Sequence, residues 1–139
     1  MAEPQADDID ELRANRREEL REAAARGADE SATPDEPIHV DGADDFERVI
    51  GEYDVVLVDF YADWCGPCTM LEPTIEALAA DADAAVAKVD IDRHQRLAAQ
   101  YGVQGVPNVV AFAGGEPVQR VVGVRDKGVY EDVIAAAAE

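Results

Sequence analysis

From Ile38 to the C-terminus, apolar runs of strand length alternate with stretches whose apolar positions recur at helical spacing. Ile38 to Val40 predicts a short strand. A helix follows near Asp44 to Ile50, with Asp44 or the small residues before it available as its cap. Val55 to Ala62 is the next strand, apolar on both faces apart from Asp59, as expected of a central strand covered by helices on each side. A helix from about Cys65 to Ala80 carries Pro73, which removes one backbone hydrogen bond and predicts a kink. Strand Val86 to Asp90 and helix Arg93 to Gln100, ended by Gly102, come next. Strands Asn108 to Ala113 and Pro117 to Gly123 are joined at Gly114-Gly115, a hairpin signal, and a last helix starts near Lys127. This order predicts an α/β fold: a mixed sheet flanked by helices, parallel strands first and an antiparallel hairpin last, with no internal repeat.

The pattern changes near position 37. Residues 1–37 hold 12 acids and 5 arginines but almost no large apolar groups, and they end in the linker-like Gly27 to Pro37. We therefore divide the chain into an acidic extension, 1–37, and a folded domain, 38–139. Within the extension, Asp10 to Arg26 has Glu18 with Arg21 and Glu22 with Arg26 at helical spacing, enough for a helix about 25 Å long. Its apolar stripe of Ile9, Leu12 and Leu20 is thin, which predicts a solvated, fraying helix rather than a docking or dimerising one.

Charge narrows the function classes. The net charge of −19 comes from 31 acids against 12 bases, of which only Lys88 and Lys127 are lysines. Such a field repels phosphates and anionic lipid, and no basic cluster with interleaved aromatics offers an exception, so neither nucleic acid nor membrane is expected as a partner. No apolar stretch approaches a membrane span, and the first dozen residues are acidic, so no secretory signal is visible and the cytoplasm is the expected location. Abundant Asp, Glu and Ala with scarce Lys also resembles the composition of proteins from salt-loving archaea, whose acidic surfaces stay hydrated while salt screens their repulsion.

Candidate chemistry concentrates in the only two cysteines, within Trp64-Cys65-Gly66-Pro67-Cys68, directly after the central strand and at the start of a helix. In a reducing compartment this placement favours a cycling dithiol over a permanent staple. The first sulfur lies among unpaired N–H groups, where the helix dipole stabilises a thiolate. The thiolate is the nucleophile: roughly 3% of a thiol with a pKa of about 8.5 is ionised at pH 7, against about half at a pKa of 7. A zinc ribbon would need a second cysteine pair or nearby histidines, and His39 and His94 are remote from the pair and from each other in sequence, so no metal is expected. Asp59 is an acid in an otherwise apolar strand. Burial disfavours its charged form, which makes it a candidate proton shuttle.

The run Val58-Asp59-Phe60-Tyr61-Ala62-Asp63-Trp64-Cys65-Gly66-Pro67-Cys68, then Pro73, Lys88-Val89-Asp90 and Gly105-Val106-Pro107, resembles the thioredoxin family in order and spacing from about Ile38 onward. The resemblance implies a thioredoxin-like three-layer α/β/α fold. It implies a protein-disulfide reductase with Cys65 as the exposed attacking thiol and Cys68 as the shielded resolving thiol. Asp59 is then the proton shuttle of the resolving cysteine and Lys88 the residue that tunes it. Val106-Pro107 resembles the pair whose proline is cis and whose preceding backbone binds an extended substrate. Trp64, Pro67, Val106, Pro107 and Gly123 would form the rim on which protein substrates dock. The Cys65–Cys68 disulfide would be the only redox group, with no added cofactor, and a thioredoxin reductase and disulfide-containing proteins would be the partners of a monomer.

Three positions depart from the family pattern: Thr69 stands where lysine or arginine is usual, Tyr61 where tryptophan is frequent, and Asn108 where threonine is common. None removes a catalytic group, but loss of a cation beside Cys68 bears on the redox potential. A disulfide oxidase or isomerase, and a non-catalytic interaction module on the same fold, are the alternatives.

Overall fold

The computed structural model describes residues 33–139, so the helix expected over Asp10 to Arg26 and most of the acidic extension lie outside the described residues. The elements are β1 (Ile38–His39), α1 (Ala43–Glu52), β2 (Val55–Tyr61), α2 (Gly66–Asp81), β3 (Ala85–Asp90), α3 (Gln95–Gln100), β4 (Asn108–Ala113), β5 (Glu116–Val122) and α4 (Lys127–Ala137). They form one five-stranded sheet in the order β1-β3-β2-β4-β5, with β1, β3 and β2 mutually parallel and β4 and β5 antiparallel. This is the expected mixed sheet. Boundaries differ by a residue or two from the apolar pattern; Ala85, for one, joins β3 through its pairing with Val56 and its burial rather than through a strong apolar signal of its own.

The central strand divides the core in two. Val56, Val58 and Phe60 point to one face, where Phe46, Val49 and Ile50 of α1 and Leu97 and Ala98 of α3 cover them. Val55 and Leu57 point to the other, beneath Leu71, Ile75 and Leu78 of α2 and Tyr130, Val133 and Ile134 of α4. Helices α1, α2 and α4 present their apolar residues at spacings of three and four, and the strand alternates by two, so both faces bury side chains at once. Each such fully buried aliphatic or aromatic side chain is worth about 1.5–3 kcal/mol.

Two local features shape the ends. Gly114 and Gly115 both have positive φ, 60° and 83°, which a two-residue hairpin loop of this hand requires of its central pair. Helix α2 runs through Pro73 as one element, so the lost hydrogen bond does not break it. The topology then brings several segments to one end of the sheet. The carboxyl end of β2 lies beside the start of β4 (Phe60 against Asn108) and the end of β5 (Asn108 against Val122), which gathers residues 61–68, 105–107 and 123 at one rim of the sheet.

Candidate active site

Cys65 is the N-cap of α2, and its Sγ accepts the backbone N–H of Cys68 at 3.1 Å. The chain reaches this geometry because Ala62 O accepts the Cys65 N–H at 3.1 Å, closing a tight turn out of β2. Gly66 and Pro67 then occupy the first helical positions, where proline forfeits an N–H that has no intrahelical partner anyway. Cys65 and Cys68, one turn apart, are joined as a disulfide with their Cα atoms 5.2 Å apart.

Exposure departs from expectation. Cys65 is 4% exposed and Cys68 3%, so in the oxidised protein the first cysteine is as covered as the second. The reason is local packing: with the two sulfurs bonded to each other, Ala62, Tyr61, Ile91 and Val106 close around both. What separates the cysteines here is position, since Cys65 caps the helix while Cys68 lies within its first turn.

The five residues expected to form a docking rim differ in exposure. Trp64 is 70% exposed and Pro67 is exposed, while Val106 and Gly123 are half-buried and Pro107 is buried. The Val106–Pro107 peptide bond is cis, and Gly123 N donates to Pro107 O at 2.9 Å, which ties the end of β5 to the proline loop. Gly123 has φ 89°, a conformation costly for other residues, and its carbonyl accepts from the buried Tyr130 hydroxyl at 3.2 Å.

Beneath the helix, Asp59 is 1% exposed and its Oδ1 has no hydrogen-bond partner among the described residues. Burial pushes its carboxyl up to about 7; the charge of Lys88 opposes this and that of Glu72 adds to it. Asp59 and Lys88 are register partners on adjacent parallel strands, so both project on the α2 side. At neutral pH a carboxyl so placed is divided between its acid and base forms, as a group that takes up and returns protons must be.

Several contributors were not legible from the sequence. Glu72 Oε2 lies 3.5 Å from Lys88 Nζ, and the only advance signal was its place one turn beyond Cys68 on the same helix. Trp64 Nε1 donates to Asp92 Oδ2 at 2.8 Å, a pairing across 28 residues that no local pattern reveals. Arg120 donates to the buried Asn108 side chain at 3.1 Å and to the Tyr101 carbonyl, which accounts for a polar residue at the start of β4. His39 and His94, remote in sequence, line one cavity of about 290 Å³ together with Tyr61, Lys88, Asp90 and Arg93. Among the described residues no three or more His, Cys, Asp or Glu side chains are grouped to hold a metal ion.

A mixed sheet between two helical layers, carrying a disulfide on a helix N-terminus beside a cis proline and above a buried carboxyl, defines a thiol–disulfide oxidoreductase. Comparison with known proteins agrees. A Thioredoxin family model matches residues 37–136. A thioredoxin of Chlamydia caviae is 44% identical over 91 residues, 65% of this chain and 88% of that protein. A bifunctional thioredoxin reductase/thioredoxin of Mycobacterium leprae is 40% identical over 92 residues, 65% of this chain but 20% of that protein. The solved structure of a mutant thioredoxin from Halobacterium salinarum superposes with a TM-score of 0.75 at 54% identity, covering 78% of this chain and 96% of that one. The chain belongs to the thioredoxin family, and its activity is that of a protein-disulfide reductase whose redox group is its own Cys65–Cys68 disulfide.

Proposed function

We propose that Cys65 attacks and Cys68 resolves. The observation that supports this is the placement of Cys65 Sγ at the helix cap, accepting a backbone N–H and facing the positive end of the α2 dipole. In the reduced protein the same interactions stabilise a Cys65 thiolate. That thiolate attacks one sulfur of a target disulfide, forms a mixed disulfide and expels the other target sulfur as a thiolate, which takes a proton from water. Cys68 then gives its proton to Asp59 and attacks Cys65 Sγ, expelling the second target thiolate. The target gains two electrons and the chain is left with its internal disulfide.

Lys88 tunes Asp59 as its neighbour in register, and Trp64, Pro67, Val106, Pro107 and Gly123 form the docking rim. The fused reductase in the Mycobacterium leprae relative supports a thioredoxin reductase as the electron donor. We place the protein in the cytoplasm as a monomeric electron carrier. We also read it as adapted to high salt, on its net charge of −19 and its likeness to the Halobacterium structure. Residues 1–37 are a separate extension and linker.

The test of the roles is a pair of variants. Cys65→Ser abolishes reduction of a protein disulfide, while Cys68→Ser accumulates a mixed disulfide through Cys65. The reverse pattern overturns the assignment.

A further inference from the structure

The sheet face under α2 carries a row of ionisable groups on three adjacent strands: His39 on β1, Lys88 on β3 and Asp59 on β2, in mutual register. Their exposure falls from the edge inward: His39 is exposed, while Lys88 and Asp59 are buried. A buried carboxylate beside a buried ammonium would ordinarily pair with it, because each unpaired charge carries a large desolvation cost. Here the ammonium goes elsewhere. Lys88 Nζ lies 3.5 Å from Glu72 and 4.4 Å from the centroid of the Tyr61 ring, whereas Asp59 has no salt bridge among the described residues.

Glu72 does not act alone. Lys88 borders a cavity of about 600 Å³ whose wall includes Asp35, Glu36, Glu72, Glu76 and His39. Four carboxylates on the solvent side draw a single flexible ammonium outward more strongly than one inner carboxyl at higher desolvation cost. Of the other titratable groups near Asp59, Tyr61 lies two residues on along the same strand and Tyr130 lies on α4, both neutral near pH 7, and on β4 its register partner is the apolar Val109.

We propose that Glu72 is a positioning residue for the proton step: it competes with Asp59 for the Lys88 ammonium and holds it at the acidic cavity, leaving Asp59 without a counter-ion. The proposal rests on Asp59 as the proton shuttle. A paired Asp59 would be a weaker base for Cys68, and an ammonium parked at the cavity can move inward when Asp59 ionises, compensating its charge during transfer. Glu72 therefore sets the pH range in which the shuttle operates.

The test is a titration of the Asp59 carboxyl by carbon NMR in the oxidised protein, where no thiol is coupled to it, alongside the pH profile of target reduction. Glu72→Gln, which keeps shape and removes charge, lowers the Asp59 midpoint by about one pH unit, and the acid limb of the profile moves with it. In a Lys88→Met background the same substitution moves the midpoint by less than about a third as much, because no ammonium is left to redirect. An unmoved midpoint, or an equal shift in both backgrounds, overturns the role of Glu72. Because the NMR titration does not depend on turnover, a rate profile that ignores Asp59→Asn would refute the shuttle itself without confusing the two results.

Discussion

Asp59 and Lys88 stand opposite each other on β2 and β3, yet the ammonium lies against Glu72 and the carboxyl Oδ1 is left without a hydrogen bond among the described residues. The fold thus holds a carboxyl where its charged form is disfavoured.

That cost has a definite dependence on pH. In the unfolded chain Asp59 ionises near 3.8, whereas in the folded protein it does so at about 7. Well below pH 3.8 both states are protonated and there is no penalty. As pH rises the unfolded state ionises first, so folding loses stability until the folded carboxyl also ionises near 7. The full penalty, on the order of 4 kcal/mol, is present above that. Asp59→Asn is therefore expected to raise unfolding stability by about 2–4 kcal/mol at pH 8 and by little at pH 4. Denaturant unfolding at the two pH values checks this, and a gain independent of pH would contradict it.

Much of this arrangement was legible in advance. An unbroken apolar run with one acid marked β2 as central, and the cysteine spacing after it marked the helix start, because both signals are local. Glu72 against Lys88, Asp92 beneath Trp64 and the shared cavity of His39 and His94 were not, since each depends on which strands become neighbours. The burial of Cys65 was missed for another reason: covering it takes Tyr61, Ile91 and Val106, which three separate segments supply.

The Trp64–Asp92 hydrogen bond holds an exposed indole next to Cys65, at the proposed docking rim. Ordering that ring before a partner arrives lowers the entropy lost on docking. Trp64→Ala is expected to raise KM for a protein disulfide about tenfold, and Asp92→Ala about threefold. Reduction of a small aromatic disulfide, which needs no rim, should be nearly unchanged by either. Steady-state kinetics on both substrates checks this; an equal loss on the two would place these residues in chemistry rather than docking.

With 31 acids and 12 bases, the chain repels itself at low ionic strength. Screening shortens from about 10 Å at 0.1 M salt to about 3 Å at 1 M, so exposed carboxylates a turn apart cease to feel one another. Thermal unfolding should therefore shift upward by about 10 °C or more between about 0.1 M and about 2 M KCl. A midpoint indifferent to salt would remove the case for adaptation to high salt.

The Cys65–Cys68 pair gives electrons to target disulfides, and its reduction potential, measured by equilibration against a reference dithiol, decides that direction. A strongly reducing pair, around −270 mV, is expected, in keeping with Gly66-Pro67 between the cysteines and a stabilised Cys65 thiolate. A value near −120 mV would make the protein a disulfide oxidant and contradict the direction of the cycle.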